Sequence, residues 1–307
     1  MADTAIQQNK VRHRKVRRLK VGSTVAWIVL ILILFITLFP IYWVIRTSFT
    51  TSQLIFSNPT KFLPDHFTVQ NFERVLGLMS ADQAVKAGGS GQTFNFLIAL
   101  RNSIIVTAFI VVGQVFFCSL AAYAFARIRF WGREVLFFIY VTGLMIPSVV
   151  TLIPNFVLIH SLGWLNTFPG LIAPYFFMTP FAVFFLRQFM LGLPVELEEA
   201  AILDGAGRFR IFITVIIPLS QTAMLTLSIV VFFQAWNNFL WPFIVGRGEN
   251  VRVLTAALAI FQTQTPQGQP DWTGLMAGTA LSTIPSIVFL VAAGRRVVES
   301  IQFTGLK

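Results

Sequence analysis

One cysteine, three histidines and twelve acidic residues are all that 307 positions hold of those types, and each scarcity removes a class of chemistry. With Cys118 as the only thiol, no intrachain disulfide can form, and no redox or thiolate-metal site is indicated. His13, His66 and His160 stand in three different segments, so neighbouring histidines assemble no metal site. The dipeptide Gly-Lys never occurs, which excludes the phosphate loop that needs this pair ahead of Ser or Thr. If ATP drives this protein, another subunit binds it. None of the acidic residues falls inside the long apolar runs described below. A carboxylate buried in lipid is costly and persists only for function, so a proton-coupled carrier is disfavoured. Nor do the few acids and histidines make a catalytic set, and the chain reads as a non-enzyme.

Apolar sequence fills the space these residues leave. The chain is 56% hydrophobic and 11% charged with mean hydropathy +0.75, which suits a polytopic membrane protein and no soluble domain. A span needs roughly 20 apolar residues, and helices satisfy every backbone donor and acceptor within lipid. Six runs qualify: Val25 to Ile45, Ile104 to Ala126, Val135 to Ile159, Leu171 to Leu186, Leu219 to Val245 and Leu275 to Ala293. The fold class expected is an all-α integral membrane protein with six transmembrane helices. The fourth run is short and carries Pro174 and Pro180, which predicts an earlier start or a kink. The first follows a basic stretch as a signal peptide would, but it is too long for one and lacks a cleavage site, so it is expected to stay as a span.

A net charge of +11 raises the question of nucleic acid, yet the basic residues gather at span ends rather than on one face. With a cytoplasmic N-terminus, sixteen Lys and Arg fall inside and seven outside. The positive-inside rule therefore places both termini in the cytoplasm. The expected layout is a basic tail over 1–24 resting on membrane lipid, a transmembrane domain over 25–295 and a C-terminal tail over 296–307. Within the domain lie an external loop at 46–96, a cytoplasmic loop at 187–218 and an external loop at 246–273. In the first of these, Phe67 to Leu76 predicts a short amphipathic helix with Phe72, Val75 and Leu76 on one side.

The cytoplasmic loop carries the most information. Pro194 suits the first turn of a helix, and Glu196, Glu198 and Glu199 follow where negative charge meets the positive end of the dipole. Leu197, Ala200 and Ala201 share one side. Gly205 suits the left-handed conformation that ends a helix, after which Phe209, Phe212 and Ile213 offer a second apolar face while Arg208 and Arg210 stay wet. An interfacial helix pair that binds nothing has the same composition.

Glu199, Ala200 and Ala201, then Gly205, then Val215, Ile216, Ile217 and Pro218 resemble the EAA signature of binding-protein-dependent ABC importer permeases, with Val215 and Ile217 as mild departures. Asn102 and Ser103, Ala121 to Arg127, Pro147, Pro154, Leu162, Gly163, Asn166, Thr167, Trp236, Asn237, Phe239, Leu240, Pro242 and the ending from Val298 to Lys307 are similar to its carbohydrate-uptake branch, of the maltose-system G-subunit type. The resemblance implies a type I permease in the bacterial or archaeal inner membrane, a second related permease, an ATPase homodimer that binds ATP and Mg, and an extracytoplasmic sugar-binding protein. It implies a coupling helix that meets the ATPase through Glu199, Ala200, Ala201, Asp204, Gly205, Ala206 and Arg208, and a second ATPase contact at Glu299, Thr304, Gly305 and Lys307. It further implies that Thr263, Gln264, Thr265, Pro266, Gln267, Gly268 and Gln269 reach the binding protein's cleft. An ordinary solvated loop has the same composition. For a sugar path, amides and an aromatic point to Asn102, Thr107, Gln114, Gln234, Trp236, Asn237 and Asn238. Polar residues of this kind also serve as glue between helices. The rival readings are a stand-alone secondary carrier or channel and a membrane scaffold.

Overall fold

The computed structural model describes residues 20–55, 61–64, 66–91, 94–262 and 268–304. Among them the ordered structure is helical, apart from one isolated bridge between Thr50 and Phe67. The described residues divide into two units, one over 20–44 and the other from Ile45 onward. The helix α1, Lys20–Ser48, makes up the described part of the first unit and enters the second. Its residues are apolar all round, with Trp27, Ile31 and Phe35 each about 60% exposed, the surface of a helix built for lipid.

In the second unit, α2 (Gln70–Val75) and α3 (Ala81–Lys86) precede the long α4, Phe96–Arg127. At about 1.5 Å per residue α4 is on the order of 48 Å long, enough to cross a bilayer. It is also the most enclosed of the long helices, with 44% of its apolar window buried. Small residues explain why neighbours can pack so near. A Cβ placed on Gly113 would stand 2.4 Å from the ring of Phe176, so only glycine admits that helix here. Around Cys118, Ala122 and Tyr123 gather Leu186, Met190, Phe212 and Leu227, each with almost no exposed surface.

Three of the six expected runs are bent or broken. The run from Val135 to Ile159 divides into α5 (Arg133–Thr142) and α6 (Ser148–Ser161), bent by 99° where Pro147 forces Ile146 into an extended backbone. The fourth has the kink its prolines predict, α7 (Phe168–Phe176) meeting α8 (Pro180–Leu191) at 43°, and it starts earlier than Leu171. The fifth differs at both ends. After α9 (Glu196–Leu203) and α10 (Arg208–Ile211), a π-helical stretch Phe212–Ile216 and α11 (Ile217–Leu219) fold back at 77° on α12, Gln221–Trp236. Leu219 thus precedes the bend, and the helix stops at Trp236 before α13, Leu240–Val245, and α14, Leu254–Leu258. The final helix α15, Trp272–Thr304, contains the sixth expected run. Among the described residues, three helices are long and apolar enough to cross a membrane, and counting each bent pair as one crossing gives up to six.

The end of the molecule where α4 begins is tied by a buried polar network. Arg74 of α2 pairs with Asp271 at 2.6 Å, and Asp271 also accepts the backbone N–H of Gly274 in the first turn of α15. Asn71 donates to the carbonyls of Ser48 and Thr50 and accepts from Arg74. The helix expected over 67–76 is therefore shorter, and it serves as a clamp. Val75 and Phe72 pack inward while Leu76 stays 38% exposed.

Candidate functional site

At the opposite end of α4, Arg127 organises the segment between α8 and α12. Its guanidinium donates to the carbonyl oxygens of Met190 and Leu193, at 2.6 and 2.5 Å, and its Nε lies 3.1 Å from a carboxylate oxygen of Glu198. Met190 lies in the last turn of α8 and Leu193 in the link that follows it, so the arginine adds a donor at the end of one helix while it anchors the next. Both side chains of the ion pair are less than a tenth exposed. Burial pushes the Glu198 carboxyl above its ordinary range, and the charges of Arg127 and Arg208 pull it back down in part. Pro194 sits one residue ahead of the N-cap Val195, just outside the first turn where it was expected.

With Glu198 turned inward, the α9 residues other than Glu198 and Ala201 face out. Glu199 and Ala200 are exposed, Ala201 and Ala206 are half-buried, and Asp204 and Arg208 are exposed. Gly205 has φ +81°, the left-handed conformation that closes α9, and a Cβ there would touch nothing. Around this turn stand Ile202 at 44%, Leu203 at 88% and Phe209 at 62% exposure, an apolar tip that no element among the described residues covers. Phe212, expected on that outer face, is fully buried against Tyr123 with ring centroids 5.5 Å apart. The π turn that starts at Phe212 rotates it into the core. Sequence reasoning used Arg127 as a topology charge and as part of the carbohydrate-uptake resemblance, and Glu198 as a dipole charge, and missed that they meet. Glu134 and Arg187, paired at 2.9 Å with Arg187 4.0 Å over the Phe137 ring, were missed likewise.

The proposed path residues divide into three groups. Gln114, Gln234 and Asn238 line one cavity of about 410 Å³, together with Ser148, Tyr175 and Trp241. Trp236 and Asn237 line a second of about 530 Å³, with Thr279, Ser282 and Thr283 of α15 opposite. Asn102 and Thr107 line neither. Asn102 is fully buried and donates to the carbonyls of Asn250 and Arg252, so its amide binds loop to helix. Both cavities flank the point where α12 unwinds after Trp236.

Two other groups are reached only in part. Thr263, Gln264, Thr265, Pro266 and Gln267 lie outside the described residues, while Gly268 and Gln269 are exposed. Glu299 and Thr304 belong to the last turns of α15, and Gly305 and Lys307 lie outside the described residues.

Comparison with known proteins gives these features a context. The family model for the binding-protein-dependent transport system inner membrane component matches residues 114–302. The trehalose/maltose transport system permease protein MalG of Thermococcus litoralis is 33% identical over 279 residues, covering 90% of this chain and 94% of that protein. The sn-glycerol-3-phosphate transport system permease protein UgpE of Salmonella typhi is 30% identical, covering 89% and 93%. Among solved structures, a bacterial ABC transporter involved in the import of the acidic polysaccharide alginate has the same fold, with TM-score 0.74 at 23% identity over 90% of this chain and 96% of that one.

Proposed function

This chain belongs to the family of binding-protein-dependent transport system inner membrane components, and we propose that it is one of two permease subunits in an ATP-driven importer of a sugar or related polyol. In this reading it crosses the cytoplasmic membrane six times with both termini inside. The transmembrane part of the importer is this chain and a second, related permease. A pair of identical ATPase subunits binds ATP and Mg, and an extracytoplasmic binding protein delivers the solute. The chain itself carries out no hydrolysis.

The observation that carries the proposal is the hairpin of α9 and α10. Its inner side is fixed to the helix bundle by Arg127 and Glu198, while Leu203, Ile202 and Phe209 stand bare around the Gly205 turn. A short amphipathic helix offered this way is the form that seats in a groove of a soluble partner. Glu199, exposed beside it, is placed to meet a basic side chain of the ATPase. Closing of the ATPase pair then moves the hairpin, and with it α4, α8 and α12, between inward-open and outward-open states. A stand-alone carrier would leave that bare tip without a purpose.

The test is copurification with the ATPase followed by ATP-driven uptake in proteoliposomes. The proposal expects an ATPase to accompany the chain, and expects Gly205→Asp or Glu199→Lys to reduce uptake at least tenfold with the complex intact. Uptake sustained by an ion gradient without ATP would overturn it. So would labelling of an introduced Ala200→Cys from the outside of intact cells.

A further inference from the structure

We infer that the cavity bounded by α4, α6, α7 and the end of α12 is a subsite for an uncharged, hydroxyl-rich solute, and that it selects against anionic ones. The inference rests on the importer reading above and adds the charge class of the cargo. At about 410 Å³ the space falls in the range of small-molecule pockets, which runs from roughly 300 to 1,000 Å³. Its polar groups are Gln114, Gln234, Asn238 and Ser148, with Tyr175 as an aromatic wall. Each amide offers both a donor and an acceptor, which matches sugar hydroxyls that do the same.

The wall is held rigidly. Gln114 donates through Nε2 to the carbonyl of Tyr175 at 3.1 Å, which leaves its oxygen as the acceptor. Trp241 packs edge-on against Tyr175 with centroids 6.3 Å apart, and its indole N–H is engaged by the carbonyl of Gly170. Tyr175 is therefore held at its main chain by Gln114 and at its ring by Trp241, and such a ring is a platform on which the apolar face of a sugar rests.

Selection against charge follows from what the lining omits. None of the twelve lining residues is ionisable at neutral pH as a cation or carboxylate. A phosphate or uronate carried into this space would give up its water with no arginine or lysine to replace it, and an unpaired anion in a low-dielectric space is strongly disfavoured. The start of α6 at Ser148 adds backbone donors, but a helix end supplies only about half a unit charge. Relatives named for sn-glycerol 3-phosphate and for an acidic polysaccharide carry anions, so family membership alone leaves this choice open.

The experiment uses the complete importer in proteoliposomes, after copurification with the ATPase has been established, so that failure of the importer reading is recognised first. Maltose, trehalose, diacetylchitobiose and glycerol serve as neutral probes, and sn-glycerol 3-phosphate and a uronate disaccharide as anionic ones. At least one neutral probe should be taken up and neither anionic one. Gln234→Leu should lower that uptake about tenfold or more, because a site built to bond hydroxyls is left with an apolar face. Gln114→Leu serves as the second variant. Assembly and basal ATP hydrolysis of both variants report whether the complex still folds. Uptake of an anionic probe overturns the inference, as does failure to take up any neutral probe, or wild-type uptake by an assembled Gln234→Leu complex.

Discussion

Arg127 and Glu198 sit 71 positions apart in the chain and 3.1 Å apart in the fold. Replacing Arg127 with Met leaves a buried carboxylate alone and removes a side-chain donor from the carbonyls of Met190 and Leu193. The expected cost is about 3–5 kcal/mol, read as a lower thermal midpoint in detergent. Glu198→Gln should be far milder, since the burial that raises its pKa already disfavours the charge. The pH dependence has a definite sign. Because its folded-state pKa is raised, Glu198 holds its proton to a higher pH in the folded chain than in the unfolded one. Its contribution to stability is thus present below the ordinary carboxylate value and is lost as pH rises through the raised one. The midpoint of wild type relative to Glu198→Gln should fall across that interval; a rise would contradict it. None of this is legible locally, where Glu198 is one of three carboxylates at a helix start and only tertiary packing singles it out.

At the scale of elements, proline content was a readable guide to the bends, with one omission. Pro174 and Pro180 foretell the kink between α7 and α8, while Pro147, embedded in a run of ample length, produces a 99° turn that hydropathy conceals. The stop after Trp236 has neither Pro nor Gly to announce it, since Asn237 and Asn238 simply leave the helix. Gly113 gives the sharpest test of helix packing. Gly113→Ala drives a methyl into Phe176, and the overpacking should cost about 1–3 kcal/mol and separate α4 from α7. Unchanged thermal stability would show that α7 yields freely. Gly205→Ala imposes left-handed strain of about 1–2 kcal/mol in an otherwise open position, so it should loosen the hairpin with the bundle unaffected. Faster amide exchange confined to α9 and α10 is the measurement.

For the molecule as a whole, two charged ties bracket α4, one at each end, and they are expected to fail differently. Arg74→Met abandons Asp271 and should open the segment around α2 and α3 to protease, with the bundle core still folded. Leu203→Asp alters a side chain already 88% exposed, so stability should be unchanged while ATP-driven uptake falls. Uptake that survived Leu203→Asp would remove the tip from the mechanism. The apolar runs made the bundle readable, and the EAA spacing made the hairpin readable. The ties were not, because they join residues whose neighbours in sequence give no hint of a partner.

The grip of one guanidinium on α8, α9 and α4 together also sets how force travels. A linkage with three fixed points cannot pivot about any one of them, so a load at the Gly205 tip reaches the membrane as torque on the helices and is not lost as slack in a hinge.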